Sequence, residues 1–451
     1  MSLIRDFTKG PLFGPLVSFS APFMLSNALQ VLYTTVDMVI VGRCLGKVGL
    51  AAVTNAGRMV DFLTVVCMGL ATSGQIYISQ LIGQGRRQDL NATIGSLFTF
   101  LGLVALGMMA LGLVFADAFI GLLNIPVEAR PDARAYPVTC TLGLLFSYGY
   151  NMVSAVLRGM GDSKRPFLFI AIASVTNLVL DIVFITVFHL GVFGAALATV
   201  IGQSLSFFFA IAYLYRRRVD FCFDFRWASF RIDRAIFGAF LKLGIPFAVR
   251  FSAINISMMY VLSLVNSVGL NASAVFGAGV KLDDIVTKVT QGIMQATTGM
   301  VGQNYGARKF DRIRRIVVYA WLLSFGFYAV YTAFLLGNPE GMFRLFNSDP
   351  EVLALAPLFA YNIVWQFPGL VLMRGTNGFI NGIGNASLAL IFGLLDGVVL
   401  RIGCSWFLGT YLGMGLRGFI LGYAIACYGM GVPALFYFLF CPWEKRKAVT
   451  V

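Results

Sequence analysis

The sequence predicts an all-α polytopic membrane protein, with twelve transmembrane helices in two six-helix bundles related by a pseudo-two-fold axis along the membrane normal. Two observations predict this fold class: the composition is too apolar for a soluble domain, and the apolar runs fall into two similar halves. Of the 451 residues, 58% are hydrophobic and 12% are charged, whereas an ordinary globular protein has roughly 25% charged residues. A soluble nucleic-acid-binding protein is excluded, because the Lys and Arg residues lie between apolar runs that no aqueous surface could carry.

Long apolar runs predict the transmembrane helices. A helix needs about 20 apolar residues to cross a bilayer, and runs of that length alternate with charged or Gly-, Pro- and Asn-rich breaks along the whole chain. The predicted spans are 15–41, 50–82, 92–115, 135–157, 167–188, 193–215, 238–265, 274–301, 314–336, 353–378, 388–408 and 414–440. Because twelve is an even number, both termini are predicted to lie on the same side of the membrane.

The Lys and Arg residues outside the spans concentrate on one face. The basic runs Arg86-Arg87, Arg216-Arg217-Arg218 and Arg314-Arg315 all lie on the face that also holds the two termini. An excess of Lys and Arg marks the cytoplasmic side, so we predict a multi-pass protein of the cytoplasmic (inner or plasma) membrane with both termini inside. The formal net charge of +14 is therefore a topology signal, and it favours contact with anionic lipid headgroups.

Several short patterns occur twice, about half a chain length apart. Ala21-Pro22-Phe23 recurs as Ile245-Pro246-Phe247, and Gly159-Met160-Gly161 recurs as Gly382-Ile383-Gly384. A repeated unit of six spans enters the membrane twice in the same orientation. We therefore predict an N-terminal six-helix bundle (1–215), a cytoplasmic connector (216–236) and a C-terminal six-helix bundle (237–451), which is the layout of a carrier.

The sequence offers no chemistry for a membrane enzyme or a nucleotide-driven pump. His189 is the single histidine, and the seven cysteines are scattered without a CxxC pair, which indicates reduced packing residues. The nearest approach to a phosphate loop, Gly42–Val48, is one residue too short and has no Ser or Thr for Mg²⁺. An ion gradient is the remaining source of energy, and we predict no cofactor.

Two aspartates within the predicted spans stand apart from any basic residue of their own helix. Asp37 follows a polar stripe on the first span, and Asp181 lies one turn after Asn177 on the fifth. Two carboxylates with amide and hydroxyl oxygens suit Na⁺; alternatively, repulsion and loss of water favour one protonated carboxyl. A buried hydrogen-bonded pair without any ligand is the third alternative.

The other charges within the spans have simpler explanations. A charge at the bilayer centre is costly unless it is paired or wetted. Arg58 with Asp61, and Lys281 with Asp284, are three residues apart and are predicted to pair locally. Asp396 and Arg401 are predicted to form a buried pair. Arg250 has no acid nearby in its helix, so we predict that it lines the cleft.

In these features the chain resembles the multidrug and toxic compound extrusion (MATE) family of cation-coupled efflux carriers, and its DinF-type branch in particular. The resemblance covers essentially the whole chain. The motifs that carry it are Pro22, Gln30, Tyr33 and Asp37 in the first span, the turns Gln80–Gly85 and Gly302–Ala307, the turn Leu157–Asp162, and Asn177, Asp181 and Thr199.

The resemblance implies roles for individual residues. It assigns the H⁺ or Na⁺ site to Asp37, Asn177, Asp181 and Thr199. It makes Pro22 the point at which the first helix bends. It also places Gln30, Tyr33 and Asn151, together with Arg250 from the reasoning above, at the substrate cavity.

The function implied is that of a secondary antiporter that exports cationic or amphipathic organic compounds in exchange for H⁺ or Na⁺, as a monomer. An alternative is a flippase for lipid-linked oligosaccharides or pyrophosphates, whose sequence mark would be basic residues facing the cleft, such as Arg250, Arg374 and Arg401. One departure from the family is that the seventh and tenth spans lack the acids that other members carry there. Cation coupling through the C-terminal half is therefore not expected.

Overall fold

The computed structural model describes residues 4–122 and 130–450, and these residues form helices and turns without strands. The helices are α1 (Phe13–Gly46), α2 (Gly57–Gln84), α3 (Leu90–Leu122), α4 (Arg130–Leu142 and Leu144–Gly159), α5 (Lys164–Val187), α6 (Gly191–Arg216), α7 (Arg234–Asn266), α8 (Leu270–Gly306), α9 (Phe310–Gly337), α10 (Pro350–Ile363 and Gln366–Gly382), α11 (Ala386–Tyr411) and α12 (Gly415–Phe440). The all-α prediction is confirmed.

Each predicted span corresponds to one of these helices. Within the described ranges, nine helices are long and apolar enough to cross a membrane, and the number is eleven when α4 and α10, bent by 46° and 51°, each count as one span. The remaining helix is α8, which is 37 residues long. Four charged residues, Lys281, Asp283, Asp284 and Lys288, make it more polar than the others.

The first two spans are not separated by the loop that the sequence predicts at residues 42–49. Helical structure runs from Phe13 to Gln84, and the break between α1 and α2 is a kink at Gly46, where φ is 67°. Glycine adopts this left-handed conformation without the steric cost that a side chain would add.

The chain divides into two compact units. Unit 1 comprises Leu25–Ala248 with a short N-terminal stretch ending at Asp6, and unit 2 comprises Phe7–Met24 and Val249–Val449. The start of α1 therefore belongs to unit 2, and the start of α7 belongs to unit 1. Both changes of unit occur within three residues of a proline inside a helix, Pro22 in α1 and Pro246 in α7.

The duplication is visible in the packing of each unit. In unit 1, a Cβ added to Gly69 of α2 would lie 2.7 Å from the Ala248 nitrogen of α7. In unit 2, a Cβ added to Gly292 of α8 would lie 2.6 Å from the Met24 nitrogen of α1. The two glycines have the sequence spacing of the repeat, so both halves use the same close approach of backbones.

One repeated turn also anchors the start of the chain. In unit 2, the Gln303 side chain accepts a hydrogen bond from the Phe7 amide at 2.9 Å. Arg312 donates to the carbonyl oxygens of Phe7 and Gly10 at 3.0 and 2.9 Å. The motif around Gln303 therefore satisfies backbone groups that precede α1, a role that the sequence did not reveal.

Candidate cation site

Asp37 of α1 and Asp181 of α5 meet inside unit 1. Asp181 is fully buried and Asp37 is half-buried, and their carboxyl groups are close enough to interact directly. Among the described residues, Oδ1 of Asp37 and both carboxylate oxygens of Asp181 are buried without a hydrogen-bond partner. Because buried polar atoms are nearly always satisfied, the pair is a candidate for holding a proton or a cation.

Asn177 and Thr199 lie beside the pair. Asn177 precedes Asp181 by one turn of α5, is also buried, and donates through Nδ2 to the Thr199 hydroxyl of α6 at 3.3 Å. The Thr199 hydroxyl in turn donates to the Ala195 carbonyl at 3.1 Å. This orientation leaves the Asn177 carbonyl oxygen as an acceptor, so carboxylate, amide and hydroxyl oxygens come together on two adjacent helices.

Helix α5 changes geometry directly after the site. The segment Lys164–Ile182 is α-helical, and Val183–Val187 continues it as a π-helix. A π turn accommodates an extra residue at a cost in hydrogen-bond geometry, and such turns are frequent at functional sites. The periodicity of apolar residues gave no sign of this turn.

Tyr33 and Gln30 extend the site along α1. The Tyr33 hydroxyl interacts with the Gln30 side chain and is within electrostatic range of Asp37, Asp61 and Asp181. These two residues therefore line the same interior as the acids.

The other three predicted site residues are Asn151, Pro22 and Arg250. Asn151 on α4 donates to the Ser147 carbonyl of its own helix at 2.9 Å. Pro22 belongs to unit 2, two residues before α1 passes into unit 1. Arg250 is also in unit 2, where it is buried and donates to Asn377 Oδ1 at 3.1 Å. The structure thus brings six of the nine predicted residues together.

Unit 2 contains its own set of buried charges. The predicted pair is present, with Arg401 Nη2 donating to Asp396 Oδ1 at 3.0 Å. The charge of Lys288, one helical turn further along α8, acts on Asp284, and the pairing of Lys281 with Asp284 stays a prediction.

Two further contacts in unit 2 were not predicted. Gln366 of α10 donates to the buried carboxylate of Asp283. Arg374 is buried and donates to the Thr290 hydroxyl at 3.1 Å and to the Thr287 carbonyl at 2.9 Å. The sequence singles out Arg374 only as a basic residue within an apolar span, without its partners.

Neither unit shows a conventional metal centre. Across residues 4–122 and 130–450, no group of three or more His, Cys, Asp or Glu side chains is arranged to hold a metal ion. A cation at Asp37 and Asp181 would therefore depend on the neutral oxygens of residues such as Asn177 and Thr199 for its further ligands.

Comparison with known proteins identifies the family. The MatE family model matches the chain twice, at residues 22–183 and 246–407, which confirms the internal duplication. The chain is 30% identical over 446 residues to "Probable multidrug resistance protein YpnP" of Bacillus subtilis, covering 99% of both proteins. It is 24% identical to the "FAD transporter" of Shewanella oneidensis, covering 98% of this chain and 97% of that protein.

Solved structures share the fold. One described as "Crystal structure of MATE in complex with MaL6" superposes with a TM-score of 0.89 at 23% identity, covering 97% of this chain and 96% of that one. Another, a MOP superfamily transporter from Pyrococcus furiosus, has a TM-score of 0.89 at 23% identity and covers 99% and 98%. These similarities confirm the predicted fold of twelve transmembrane helices in two bundles.

Proposed function

Because the chain belongs to the MatE family of multidrug transporters, we propose that it is a secondary antiporter that exports cationic or amphipathic organic compounds in exchange for H⁺ or Na⁺. The chain is a transporter of small organic compounds and not an enzyme. The observation that carries the exchange mechanism is the meeting of Asp37 and Asp181 in the interior of unit 1, where buried carboxylate oxygens lack hydrogen-bond partners.

The chemistry of the pair explains cation uptake. Two carboxylates that approach each other away from water repel, and the repulsion ends when one binds a proton or when both coordinate a cation. The oxygens of Asn177 and Thr199 are hard ligands of the kind that Na⁺ prefers. Binding of either ion therefore lowers the free energy of the site.

Coupling requires that the ion and the exported compound favour different states of the carrier. In a rocking carrier each ligand shifts the equilibrium only by its difference in affinity between the inward-open and outward-open states. We place the link in α1, which carries Asp37 and Tyr33 on the unit 1 side and Pro22 on the unit 2 side. Proline removes a backbone hydrogen bond within the helix, so α1 can bend near Pro22 when the charge on Asp37 changes.

The placement in the membrane follows from charge. We propose that the protein works as a monomer in the cytoplasmic membrane with both termini inside. The Lys and Arg excess on the face of the connector supports this orientation.

The test is dye efflux from vesicles that contain the purified protein. Ethidium efflux is measured under a pH gradient and a Na⁺ gradient imposed separately, for the wild type, Asp37→Asn and the control Asp311→Asn, which alters an exposed acid at the start of α9. We expect Asp37→Asn to abolish gradient-driven efflux while its thermal melting stays unchanged. Wild-type efflux by a well-folded Asp37→Asn protein would refute the assignment.

A further inference from the structure

The interior of unit 2 holds more positive than negative charge. Electrostatic interactions connect four basic and three acidic side chains there: Arg250, Lys288, Arg374 and Arg401, and Asp283, Asp284 and Asp396. Arg250 and Arg374 are 2% and 3% exposed. The group therefore has one more positive than negative charge, although burying a charge in the membrane interior is costly.

Asp396 serves two guanidinium groups at once. Its Oδ1 accepts from Arg401 Nη2 at 3.0 Å, and its charge is also the one that acts on Arg250. One carboxylate does not neutralise two arginines. A second anion beside Arg250 would complete the charge balance at this end of the group.

The chain makes specific room for Arg250. A Cβ added to Gly393 of α11 would lie 2.2 Å from Cγ and 2.5 Å from Cδ of Arg250, so only glycine lets the arginine stem pass. Its Nη1 donates to Asn377 Oδ1 at 3.1 Å. A guanidinium held in one orientation presents a planar set of donors that matches a carboxylate or a phosphate.

The partner ion pair depends on an unusual helix geometry. In an α-helix, at about 100° per residue, two residues five apart point about 140° away from each other. Leu395–Ile402 is π-helical, and its wider turn brings Asp396 and Arg401 to one side. Both Asp396 and Arg401 thereby face the interior that also contains Arg250.

We propose that Arg250, supported by Asn377 and Arg401, forms a subsite that binds an anionic oxygen group, a carboxylate or a phosphate, of the exported compound. This inference rests on the proposed function and extends its substrate class to amphipathic compounds that carry such a group. The candidate cation site and the proposed anion subsite lie in different units. An experiment can therefore refute one of the two proposals and leave the other valid.

The test is equilibrium binding of carboxyfluorescein, an anionic dye, to the purified full-length protein in detergent, measured by fluorescence polarisation. We expect Arg250→Gln to weaken binding about tenfold, as the loss of one charge-assisted interaction predicts, and Arg250→Lys to weaken it less. Arg417→Gln is the control, because Arg417 also donates to an asparagine, Asn362, but outside the group. It should bind the dye like the wild type.

A second variant keeps the test decisive if Arg250→Gln does not fold. Asn377→Asp keeps every arginine and adds a competing carboxylate at the atom that Arg250 contacts, so it should also weaken dye binding. Equal affinity in the wild type, Arg250→Gln and Asn377→Asp, with unchanged thermal melting, would overturn the subsite.

Competition distinguishes the source of the anion. Displacement of the dye by inorganic phosphate would support the subsite with a free anion as its ligand, and displacement only by dodecyl phosphate would support it with a lipid phosphate, as a flippase requires. If neither phosphate displaces the dye but the dye affinity still depends on Arg250, the result supports the subsite with an organic anion as its ligand. Because binding needs no gradient, a failure of cation coupling leaves these results readable.

Discussion

The two units derive from one duplicated segment, yet their interiors have opposite charge. Within the predicted spans, unit 1 carries three acids and two bases, a net charge of −1, and unit 2 carries three acids and eight bases, a net charge of +5. At the spacing of the repeat, Asp181 corresponds to Cys404 and Arg250 corresponds to Asn27. These two residues thus have no charged counterpart in the other half, whereas Arg58 and Asp61 correspond to Lys281 and Asp284.

The packing contacts, in contrast, are the same in both halves. Gly69 and Gly292 allow the same close approach of backbones in their own units. Gly159 and Gly382 do so as well, with an added Cβ 3.0 Å from the Gln75 carbonyl oxygen and 2.9 Å from that of Thr298. The difference teaches that the packing of small residues is retained in both copies of the repeated fold, whereas the buried charges have diverged between the two units.

The largest expected effect separates the two units. Asp181→Asn should reduce gradient-driven efflux to the background level, because a single carboxylate is left to bind the cation, while carboxyfluorescein binding stays unchanged. Arg250→Gln, in contrast, should weaken carboxyfluorescein binding. If Asp181→Asn weakened dye binding as much as Arg250→Gln, the assignment of different ions to the two units would be wrong.

A smaller effect is expected from the ion pair of unit 2. Asp396→Asn should lower the free energy of unfolding by about 3–5 kcal/mol, because it leaves the buried Arg401 without its carboxylate. Adding Arg401→Met should recover most of that loss, since the uncompensated charge disappears. Unfolding by SDS, followed by circular dichroism, measures both variants. If Asp396→Asn alone were as stable as the wild type, this would show that water reaches Arg401.

Substitution of the two close-contact glycines, one in each unit, should lower the free energy of unfolding by similar amounts. Gly69→Ala and Gly292→Ala should each cost about 1–3 kcal/mol of unfolding free energy, because the added methyl group forces two backbones apart. Gly102→Ala is the control, since an added Cβ there meets nothing within 4 Å, and it should be neutral or stabilising. The same SDS titration compares all three. A cost confined to one glycine would contradict the equivalence of the repeats.

The smallest effect is expected at Thr199. Thr199→Ala removes one neutral hydroxyl beside Asn177. It should raise the ion concentration that gives half-maximal efflux about threefold, which is the effect of losing one ordinary hydrogen bond. Thr199→Ser retains the hydroxyl and should behave like the wild type. The concentration of Na⁺ or H⁺ that gives half-maximal efflux is the measurement, and equal values for Ala and Ser would remove Thr199 from the site.

Much of the candidate cation site was predictable because its members lie on continuous helices with clear periodicity. Asn177 and Asp181 are one turn apart, so the sequence alone places them on one face of α5. Their meeting with Asp37 rested on resemblance, since nothing in the spacing of residues 37 and 181 fixes a contact. The influence of Lys288 on Asp284 was not predicted for a related reason: Lys281 and Lys288 both lie about one turn from Asp284, and side-chain direction decides which of them comes near.

The sequence by itself determined the membrane class, the twelve spans, the duplication and the candidate ionisable residues, because apolar length, charge asymmetry and repeated motifs are properties of the linear chain. Only the tertiary structure decided that helical structure continues across residues 42–49, that the starts of α1 and α7 belong to the opposite units, and that Asp396 and Arg401 meet through a π-helical turn. The physical reason is that these features depend on backbone geometry and on which helices pack together. Hydropathy and spacing along one helix carry no information about either.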